Sequence, residues 1–114
     1  MTNKPTNRTA RIAELNDNFR RMLILQGLYF YTRGIADLPP EDKRAVIEKV
    51  KNFDDFSEDN DPYGEHDFGA FTHNGNRIFW KIDYYAPGME RGSDDPADPA
   101  KTMRVLTILL ADEY

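Results

Sequence analysis

Residues 61–85, DPYGEHDFGAFTHNGNRIFWKIDYY, decide the fold of this chain. Within them, the dipeptide Asn74-Gly75 separates two apolar runs rich in aromatic residues, 68–71 and 78–82. Asn-Gly is the strongest short-range signal for a two-residue type I′ turn, because both central residues of that turn need a positive φ. The sequence therefore predicts a β-hairpin that closes at this dipeptide and follows an acidic loop.

A turn this tight also predicts which residues pair across the hairpin. His73 faces Asn76, and the later pairs alternate between the two faces because the side-chain period of a strand is two. One face receives the pairs Phe71–Ile78, Gly69–Trp80 and Asp67–Ile82. The other face receives the pairs Ala70–Phe79, Phe68–Lys81 and His66–Asp83. We expect Trp80 to lie in the core across the strand glycine, and His73 to be exposed beside the turn.

The predicted pair of His66 and Asp83 is a candidate catalytic site. Lys81 lies one pair inward on the same face, so three ionisable groups come within cross-strand reach. An adjacent carboxylate favours the charged imidazole, which leaves a solvated ion pair as one interpretation. The other is a site in which His66 acts as general acid and base, Asp83 orients it and Lys81 stabilises negative charge. Further residues expected near that site are Glu65, Asp67 and Tyr84.

Length and composition indicate one folded domain. A chain of 114 residues can bury one core of ordinary size, and its 39% hydrophobic and 31% charged residues are typical of a folded protein. The absence of cysteine excludes disulfides and cysteine-based zinc sites. The chain has no apolar run long enough to span a bilayer and no signal peptide, so we expect a cytoplasmic protein. We expect residues 1–8 to form a disordered lead and residues 9–114 to form a single domain.

Charge is unevenly distributed along the chain. Residues 1–33 hold six Lys/Arg against two acids, whereas residues 34–114 hold nine against eighteen, which gives the net charge of −5. Neutralising a phosphate backbone needs clustered Lys/Arg, so the acidic body argues against direct nucleic-acid binding. The basic N-terminal third is interpreted as the solvated face of a helix.

Two helices are predicted before the hairpin. The first covers residues 9–23, where apolar residues recur every three or four positions and Arg8, Arg11, Arg20 and Arg21 lie on the outer face. The second begins at Pro39-Pro40, because prolines suit a first helical turn and the carboxylates that follow suit its dipole. Its buried stripe ends at Phe53.

Two further strands are predicted outside the hairpin. Residues 28–33 are aromatic and β-branched between two glycines, which is typical of a strand. For residues 104–111, Asp98-Pro99 resembles a helix start, while the short, β-branched apolar run favours a strand. We favour the strand, because a hairpin needs a further partner to be stable. The fold class is therefore α+β, with about four mostly antiparallel strands and two helices packed on one face.

The acidic loop at 54–67 has seven acids in fourteen positions, which raises the question of a metal site. Asp59, Asp61 and Gly64 match positions 1, 3 and 6 of a calcium-binding loop. Tyr63 stands at position 5 and Ala70 at position 12, where a bidentate Glu is required, so the match fails. We predict no metal and no cofactor. A divalent ion held by the loop is the minor alternative, with candidate ligands Asp59, Asp61, Glu65 and His66.

Three segments of the sequence resemble those of a known family. They are FDDFSEDNDPYGEHDFG at 53–69, WKIDYY at 80–85 and RVLTILLADEY at 104–114, with TRG at 32–34. The chain from about residue 12 to its end resembles a family of small bacterial proteins catalogued as domain of unknown function thirty-seven sixty-eight. The resemblance implies a short, stand-alone intracellular protein of alphaproteobacteria, often found in accessory DNA. It implies no activity, so no catalytic residue can be transferred from the family.

Two functions follow as hypotheses. The first is a non-enzymatic protein whose exposed acidic loops at 54–65 and 90–98 bind a protein partner with a basic, often nucleic-acid-binding, surface. The implied accessory-DNA context extends this hypothesis to action against a host defence or regulatory system. The second is a small enzyme or ligand-binding protein built on the His66 site. The residues predicted to bind a partner or ligand are Asp59, Asp61, Tyr63, Glu65, His66, Asp67, Tyr84 and Arg104. For Arg104, a structural salt bridge to a carboxylate such as Asp83 is the other interpretation.

Overall fold

The computed structural model describes residues 7–22 and 27–114. Its elements, in chain order, are α1 (Asn7–Arg20), β1 (Leu28–Tyr31), α2 (Arg33–Ala36), α3 (Pro40–Lys51), β2 (Phe68–His73), β3 (Asn76–Tyr85) and β4 (Met103–Leu110). Short 3-10 helices lie on either side of β4, at Pro99–Lys101 before it and at Ala111–Glu113 after it. Helix α1 begins two residues before its predicted start, and residues 1–6 of the predicted lead and Leu23 lie outside the described residues. Within the described residues, no helix is both long enough and apolar enough to cross a bilayer.

The four strands form one mixed sheet in the order β1-β4-β3-β2. Strand β3 is antiparallel to both β2 and β4, whereas β1 runs parallel to β4. The predicted α+β class, with a mostly antiparallel sheet around a central hairpin, is confirmed. Residues 103–110 form a strand, β4, which pairs with β3 of the hairpin. Strand β1 ends at Tyr31, earlier than predicted, because α2 begins at Arg33.

The hairpin has the predicted turn and register. Asn74 and Gly75 have φ values of 48° and 79°, which are the two positive angles that a type I′ turn requires. Phe71 pairs with Ile78, and Gly69 pairs with Trp80. A Cβ atom on residue 69 would lie 2.2 Å from the indole Nε1 of Trp80. Glycine is therefore required at position 69 for the indole to lie across β2.

The core lies on one face of the sheet, which we call the helix-covered face. Alternate residues of β3 and β4 point into it, and all three helices contribute side chains to the same cluster. The buried residues of this core are Phe19, Ile35, Val46, Val50, Ile78, Trp80, Ile82, Leu106 and Ile108. Trp80 is fully buried, as predicted. The other side of the sheet, which we call the open face, carries Phe30, Phe79, Lys81 and Asp83.

Helix α1 buries Ile12, Leu15 and Phe19 of its predicted apolar stripe, and its buried face is wider than predicted. Ile12, Asn16 and Arg20 recur every four residues, and all three are buried, with Arg20 at 0% exposure. The prediction that Arg20 lies on the outer face of this helix is therefore wrong. The physical reason is that Arg20 pairs with Asp17 one helical turn earlier and packs against the Phe56 and Trp80 rings, which are remote in sequence.

His73 is not the exposed turn residue that was predicted. Its Nε2 lies 3.0 Å from Asp42 Oδ1, and its Nδ1 lies 3.0 Å from the Lys49 ammonium. Because that ammonium can only donate, Nδ1 must accept and Nε2 must carry the proton donated to Asp42. Asn74 Nδ2 donates to the same Asp42 oxygen at 2.8 Å. These contacts fix the hairpin turn against α3.

Gly69→Ala tests the close approach of Trp80 to β2. We expect the substitution to lower the free energy of unfolding by about 1–3 kcal/mol, because the added methyl group overlaps the rigid, buried indole. The measurement is urea unfolding followed by Trp80 fluorescence. The matched control is Gly88→Ala, since a Cβ there meets nothing within 4 Å. Equal stability of the two variants would contradict the packing argument.

Candidate functional site

His66 lies in a turn that leads from the acidic loop into β2. Gly64 and His66 have positive φ values, 71° and 56°, so the backbone is not extended just before the strand begins. This conformation directs the imidazole towards α1. Nδ1 lies 3.0 Å from Asp17 Oδ1, and Nε2 lies 3.7 Å from Asp61 Oδ2. The backbone N–H of His66 also donates to the Asp61 carboxylate.

The predicted pair of His66 and Asp83 is wrong. The hairpin ladder does extend to Asp67, whose carbonyl accepts a hydrogen bond from the Ile82 N–H at 2.8 Å. The positive φ at His66 then ends the strand alternation that the prediction assumed. Lys81 and Asp83 pair with each other at 2.9 Å on the open face, away from the imidazole.

An aromatic ring and two carboxylates surround the imidazole. Phe56 stacks on it with ring centroids 3.8 Å apart and an angle of 2° between the planes. Both ring nitrogens lie within 4 Å of a carboxylate oxygen. A general base needs one nitrogen directed at substrate. This geometry favours an imidazole that joins the loop to α1.

Arg20 shares the Asp17 carboxylate with His66. Its Nη2 lies 2.9 Å from Asp17 Oδ1, and its guanidinium lies 5.5 Å from the Phe56 ring and 5.0 Å from the Trp80 ring. Burial lowers the pKa of Arg20, and the Asp17 charge opposes that shift. Among the described residues, Arg20 Nε and Nη1 are buried without a hydrogen-bond acceptor. Asp17 is thus the group that compensates this buried charge, and we call Asp17, Arg20, Asp61 and His66 the Asp17 cluster.

A second polar network adjoins the Asp17 cluster. Asn16 Nδ2 donates to the Tyr84 hydroxyl at 2.7 Å and to the Glu65 carbonyl at 2.9 Å. Tyr84 donates in turn to Glu65 Oε1 at 2.9 Å. Burial raises the pKa of the Tyr84 hydroxyl, so it remains a neutral donor and acceptor. The network holds α1, the loop and β3 together.

Arg104 belongs to this network, and its predicted salt bridge to Asp83 is wrong. Its Nε donates to Asn16 Oδ1 at 2.7 Å, and its Nη2 donates to the Pro96 carbonyl at 2.5 Å. Arg104 pairs with Tyr84 in the sheet, whereas Asp83 pairs with Val105 and so points to the opposite face. Burial lowers the pKa of Arg104. The contacts indicate a structural role for this guanidinium.

A groove of about 350 Å³ runs beside α1 and ends at His66 and Gly64. Glu14, Asp17 and Arg21 line it with charges of both signs. Only the edge of the imidazole reaches it, since 27% of the His66 side chain is exposed. Among residues 7–22 and 27–114, no three His, Asp or Glu side chains are arranged to hold a metal ion.

The acidic loop also carries carboxylates that form no ion pair with the Asp17 cluster, although the Asp54 charge raises the pKa of Arg20. Asp54, Asp55, Glu58 and Asp59 are solvent-exposed, and none forms an ion pair with another described residue. Tyr63 follows with 82% of its surface exposed. By contrast, Asp61 is 8% exposed and belongs to the cluster. The predicted binding residues therefore separate into an exposed set (Asp59, Tyr63) and a set built into the fold (Asp61, Glu65, His66, Asp67, Tyr84, Arg104).

The loop backbone is ordered by its own hydrogen bonds. The Asn60 side chain accepts from the Ser57 N–H and donates to the Asp55 carbonyl, both at 2.8 Å. The Asp61 N–H donates to the Ser57 carbonyl at 2.8 Å. Phe56 anchors the segment between His66 and Trp80. The exposed carboxylates are therefore presented from a fixed backbone.

The second acidic stretch, 90–98, differs because three of its four carboxylates have partners. Asp94 pairs with Arg91 at 2.6 Å, and Asp95 pairs with Arg8 at 3.0 Å. Asp98 accepts a hydrogen bond from the Ala100 N–H at 2.9 Å, as the predicted cap should, although the turn that follows is a short 3-10 helix. This stretch has less free negative charge to offer a partner than the loop at 54–59.

The fold and the site define a small α+β protein with a one-sided helical layer and a rigid, exposed acidic loop. The chain belongs to the family described as "Protein of unknown function (DUF3768)", whose model matches residues 31–113. The family that the sequence segments resemble is thereby confirmed. Helix α1, which supplies Asn16, Asp17 and Arg20, precedes the matched region. Neither a curated protein nor a solved structure matches the chain.

Asp17→Asn tests the compensation of the buried Arg20. We expect the free energy of unfolding to fall by about 3 kcal/mol, because the substitution leaves a buried guanidinium without an anionic partner. Urea unfolding at pH 7 measures this. The matched control on the same helix is Glu14→Gln, which removes an exposed pair with Arg11 and is expected to change stability by less than about 0.5 kcal/mol.

A double variant separates the loss of charge compensation from general damage to α1. Adding Arg20→Met to Asp17→Asn removes the uncompensated charge and keeps an apolar side chain in the same space. We expect it to be more stable than Asp17→Asn alone. A double variant less stable than the single one would contradict the proposed role of Asp17.

Asp67→Asn tests how the partly buried Asp67 carboxylate affects stability. Burial raises the pKa of Asp67, and the neighbouring Glu65 and Asp61 charges raise it further. The folded protein therefore binds the proton of the Asp67 carboxyl group more tightly than the unfolded chain does. Ionised Asp67 consequently reduces stability at neutral pH. We expect Asp67→Asn to be more stable than the parent at pH 7. The difference should shrink as pH falls through the raised pKa and vanish below 3.8, the ordinary value.

Denaturant unfolding at a series of pH values measures the Asp67 effect. The control is Asp59→Asn, which removes the same charge from the exposed part of the loop. A gain from Asp59→Asn as large as that from Asp67→Asn would show that total loop charge, and not burial, is responsible. A gain from Asp67→Asn that persists below pH 3.8 would contradict the sign of the argument.

Proposed function

We propose that this chain is a non-enzymatic binding protein that uses residues 54–63 to dock onto a cationic surface of another protein. The observation that carries the proposal is a set of four exposed carboxylates next to the exposed Tyr63, none of which forms an ion pair within residues 7–22 and 27–114. No Lys or Arg occurs between residues 52 and 76, so nothing within the segment neutralises it. Complementary charge of this kind raises association rates and selects against wrong partners.

The order of the loop supports binding. A flexible acidic segment would lose conformational entropy on docking, whereas a loop already held by Asn60, Phe56 and the Asp17 cluster loses less. The chain's own architecture therefore preorganises the carboxylates. His66 and Asp17 contribute to binding in this proposal only by holding the loop in position.

The chemistry of the loop favours arginine-rich partners. A guanidinium can make paired hydrogen bonds to a carboxylate and can also lie against a tyrosine ring, and both groups are exposed here within a few residues. Proteins that bind nucleic acids present such arginines on their surfaces. Inhibition of a host defence or regulatory protein of that type is the biological role we propose. The same negative loop would repel a phosphate backbone, so the proposal includes no direct nucleic-acid binding.

The enzyme hypothesis receives less support from the geometry. Its three central residues are divided between two faces of the sheet, with His66 against α1 and Lys81 paired with Asp83 on the open face. Both nitrogens of the imidazole adjoin carboxylates, and Asp61 is buried beside one of them. The groove beside His66 is open and holds charges of both signs. We therefore favour the binding protein.

A fourfold neutralised variant tests the proposed surface. The change is Asp54→Asn, Asp55→Asn, Glu58→Gln and Asp59→Asn, in a tagged chain used for pull-down from a bacterial lysate. We expect the parent to capture a cationic protein at low salt and to lose it at high salt, since exposed charges are screened within a Debye length of about 10 Å at 0.1 M. The variant should bind the purified partner at least about tenfold more weakly.

The control carries the same charge change at four other exposed positions: Glu41→Gln, Glu48→Gln, Glu90→Gln and Asp112→Asn. Equal weakening by both variants would show that net charge alone matters and that the loop is not the site. Recovery of no partner at either salt concentration would leave the proposal unsupported. Tyr63→Ala tests the aromatic contribution separately, and we expect it to weaken binding without changing the salt dependence.

A further inference from the structure

The two edges of the sheet differ in how well they are covered. At the β2 edge, α3 contacts the strand through His73, and the Lys49 ammonium lies 5.8 Å from the Phe71 ring. At the β1 edge, Phe30 and Tyr31 are 52% and 50% exposed. Strand β1 has the sequence LYFY, without charge, proline or glycine. Natural edge strands usually carry charge, proline or a bulge, because an uncovered apolar edge pairs with other strands.

The backbone of β1 is oriented to accept a further strand. The Thr32 N–H donates to the Ile108 carbonyl of β4 at 3.0 Å, continuing the parallel ladder. Because successive residues of a strand direct their N–H and C=O groups to opposite sides, those of Tyr31 point away from β4. Within the part of the chain that the structure describes, no strand lies on that side of β1.

We propose that two copies of this chain associate through β1, antiparallel and across a two-fold axis, into a continuous eight-stranded sheet. With the axis at Phe30, the two Phe30 rings meet on the open face and the N–H and C=O groups of Tyr31 pair with the other copy. Such a contact is self-complementary, as a two-fold interface must be. The uncharged side chains of β1 add no repulsion at the axis.

The charge distribution supports a second copy as the occupant. The strand order puts β2, and the acidic loop leading into it, at the opposite edge from β1. With strands about 4.8 Å apart, the two β2 strands of the dimer would be about 34 Å from each other. That separation exceeds the Debye length of about 8 Å at physiological salt several times over. Two acidic chains can therefore pair at this edge without strong repulsion between their loops.

An apolar groove extends the proposed interface beyond the strand. It has a volume of about 490 Å³, starts at Gly27 and Leu28, and is also lined by Pro87, Pro99 and Met103. A four-residue strand alone buries less area than a stable dimer needs, which is at least about 1,000 Å² in total. We therefore expect a dimer of modest affinity that dissociates on dilution. It would present two acidic loops from one rigid sheet.

Tyr31→Pro is the variant that tests this inference. Proline removes the N–H of residue 31, which β4 does not use, so the sheet within each copy keeps its hydrogen bonds. The matched control, Tyr31→Ala, keeps the N–H and removes only the ring and its contact with Lys43. Sedimentation equilibrium over a range of concentrations measures the mass of the full chain and of both variants.

We expect the parent to rise from 13.2 kDa towards twice that mass with concentration, and Tyr31→Pro to stay at 13.2 kDa. Tyr31→Ala should still associate. Hydrogen exchange should show the Tyr31 amide becoming protected as the parent concentration rises. A parent of 13.2 kDa at every concentration, or a Tyr31→Pro variant that associates as the parent does, would overturn the inference.

A second variant keeps the test decisive if Tyr31→Pro does not fold. Phe30→Lys puts a charge on an exposed position of the open face and opposes two lysines at the two-fold axis. We expect it to be folded by circular dichroism and monomeric. A dimer that survives Phe30→Lys would show that the copies meet elsewhere, which also overturns the inference.

Discussion

The Asp17 carboxylate contacts two side chains from different parts of the chain, and the position of the acidic loop depends on these contacts. One is the Arg20 guanidinium of its own helix, which is fully buried, and the other is the imidazole of His66, 49 residues later. A buried guanidinium without an anionic partner would be strongly unfavourable. The contact therefore fixes the rotation of α1 on the sheet and the direction in which the loop enters β2.

The acidic residues of the loop have two roles, one inside the fold and one at its surface. Asp61 lies inside the Asp17 cluster and supports the loop, while Asp54, Asp55, Glu58 and Asp59 remain in solvent. The buried carboxylates thus hold the loop in position, and the exposed carboxylates remain accessible to a partner. The exposed carboxylates form no ion pair with another described residue, which connects the fold to the binding function proposed above.

The two edge strands of the sheet, β1 and β2, differ in their surroundings. The β2 edge contacts α3 through His73 and adjoins the acidic loop, whereas the β1 edge is uncharged and has exposed aromatic rings. A charged surface and an uncharged strand edge suit different kinds of contact, one dominated by electrostatic complementarity and the other by backbone hydrogen bonds. Two separate contacts can therefore form at once, one with a cationic partner and one with a second copy.

The sequence by itself determined the hairpin, its register and the α+β class, because these follow from local rules. Asn-Gly requires a tight turn, a period of two assigns the faces, and β-branched content identified β4 as a strand. Only the tertiary structure decided the partners of His66 and Arg104. Their contacts join residues up to 88 positions apart, and a positive φ at one residue redirects the imidazole. The Asp17–Arg20 pair has the i, i+3 spacing of neighbours on a helix, so that partner could have been found from the sequence. The partners of His66 and Arg104 are brought near by packing, and sequence spacing carries no record of them.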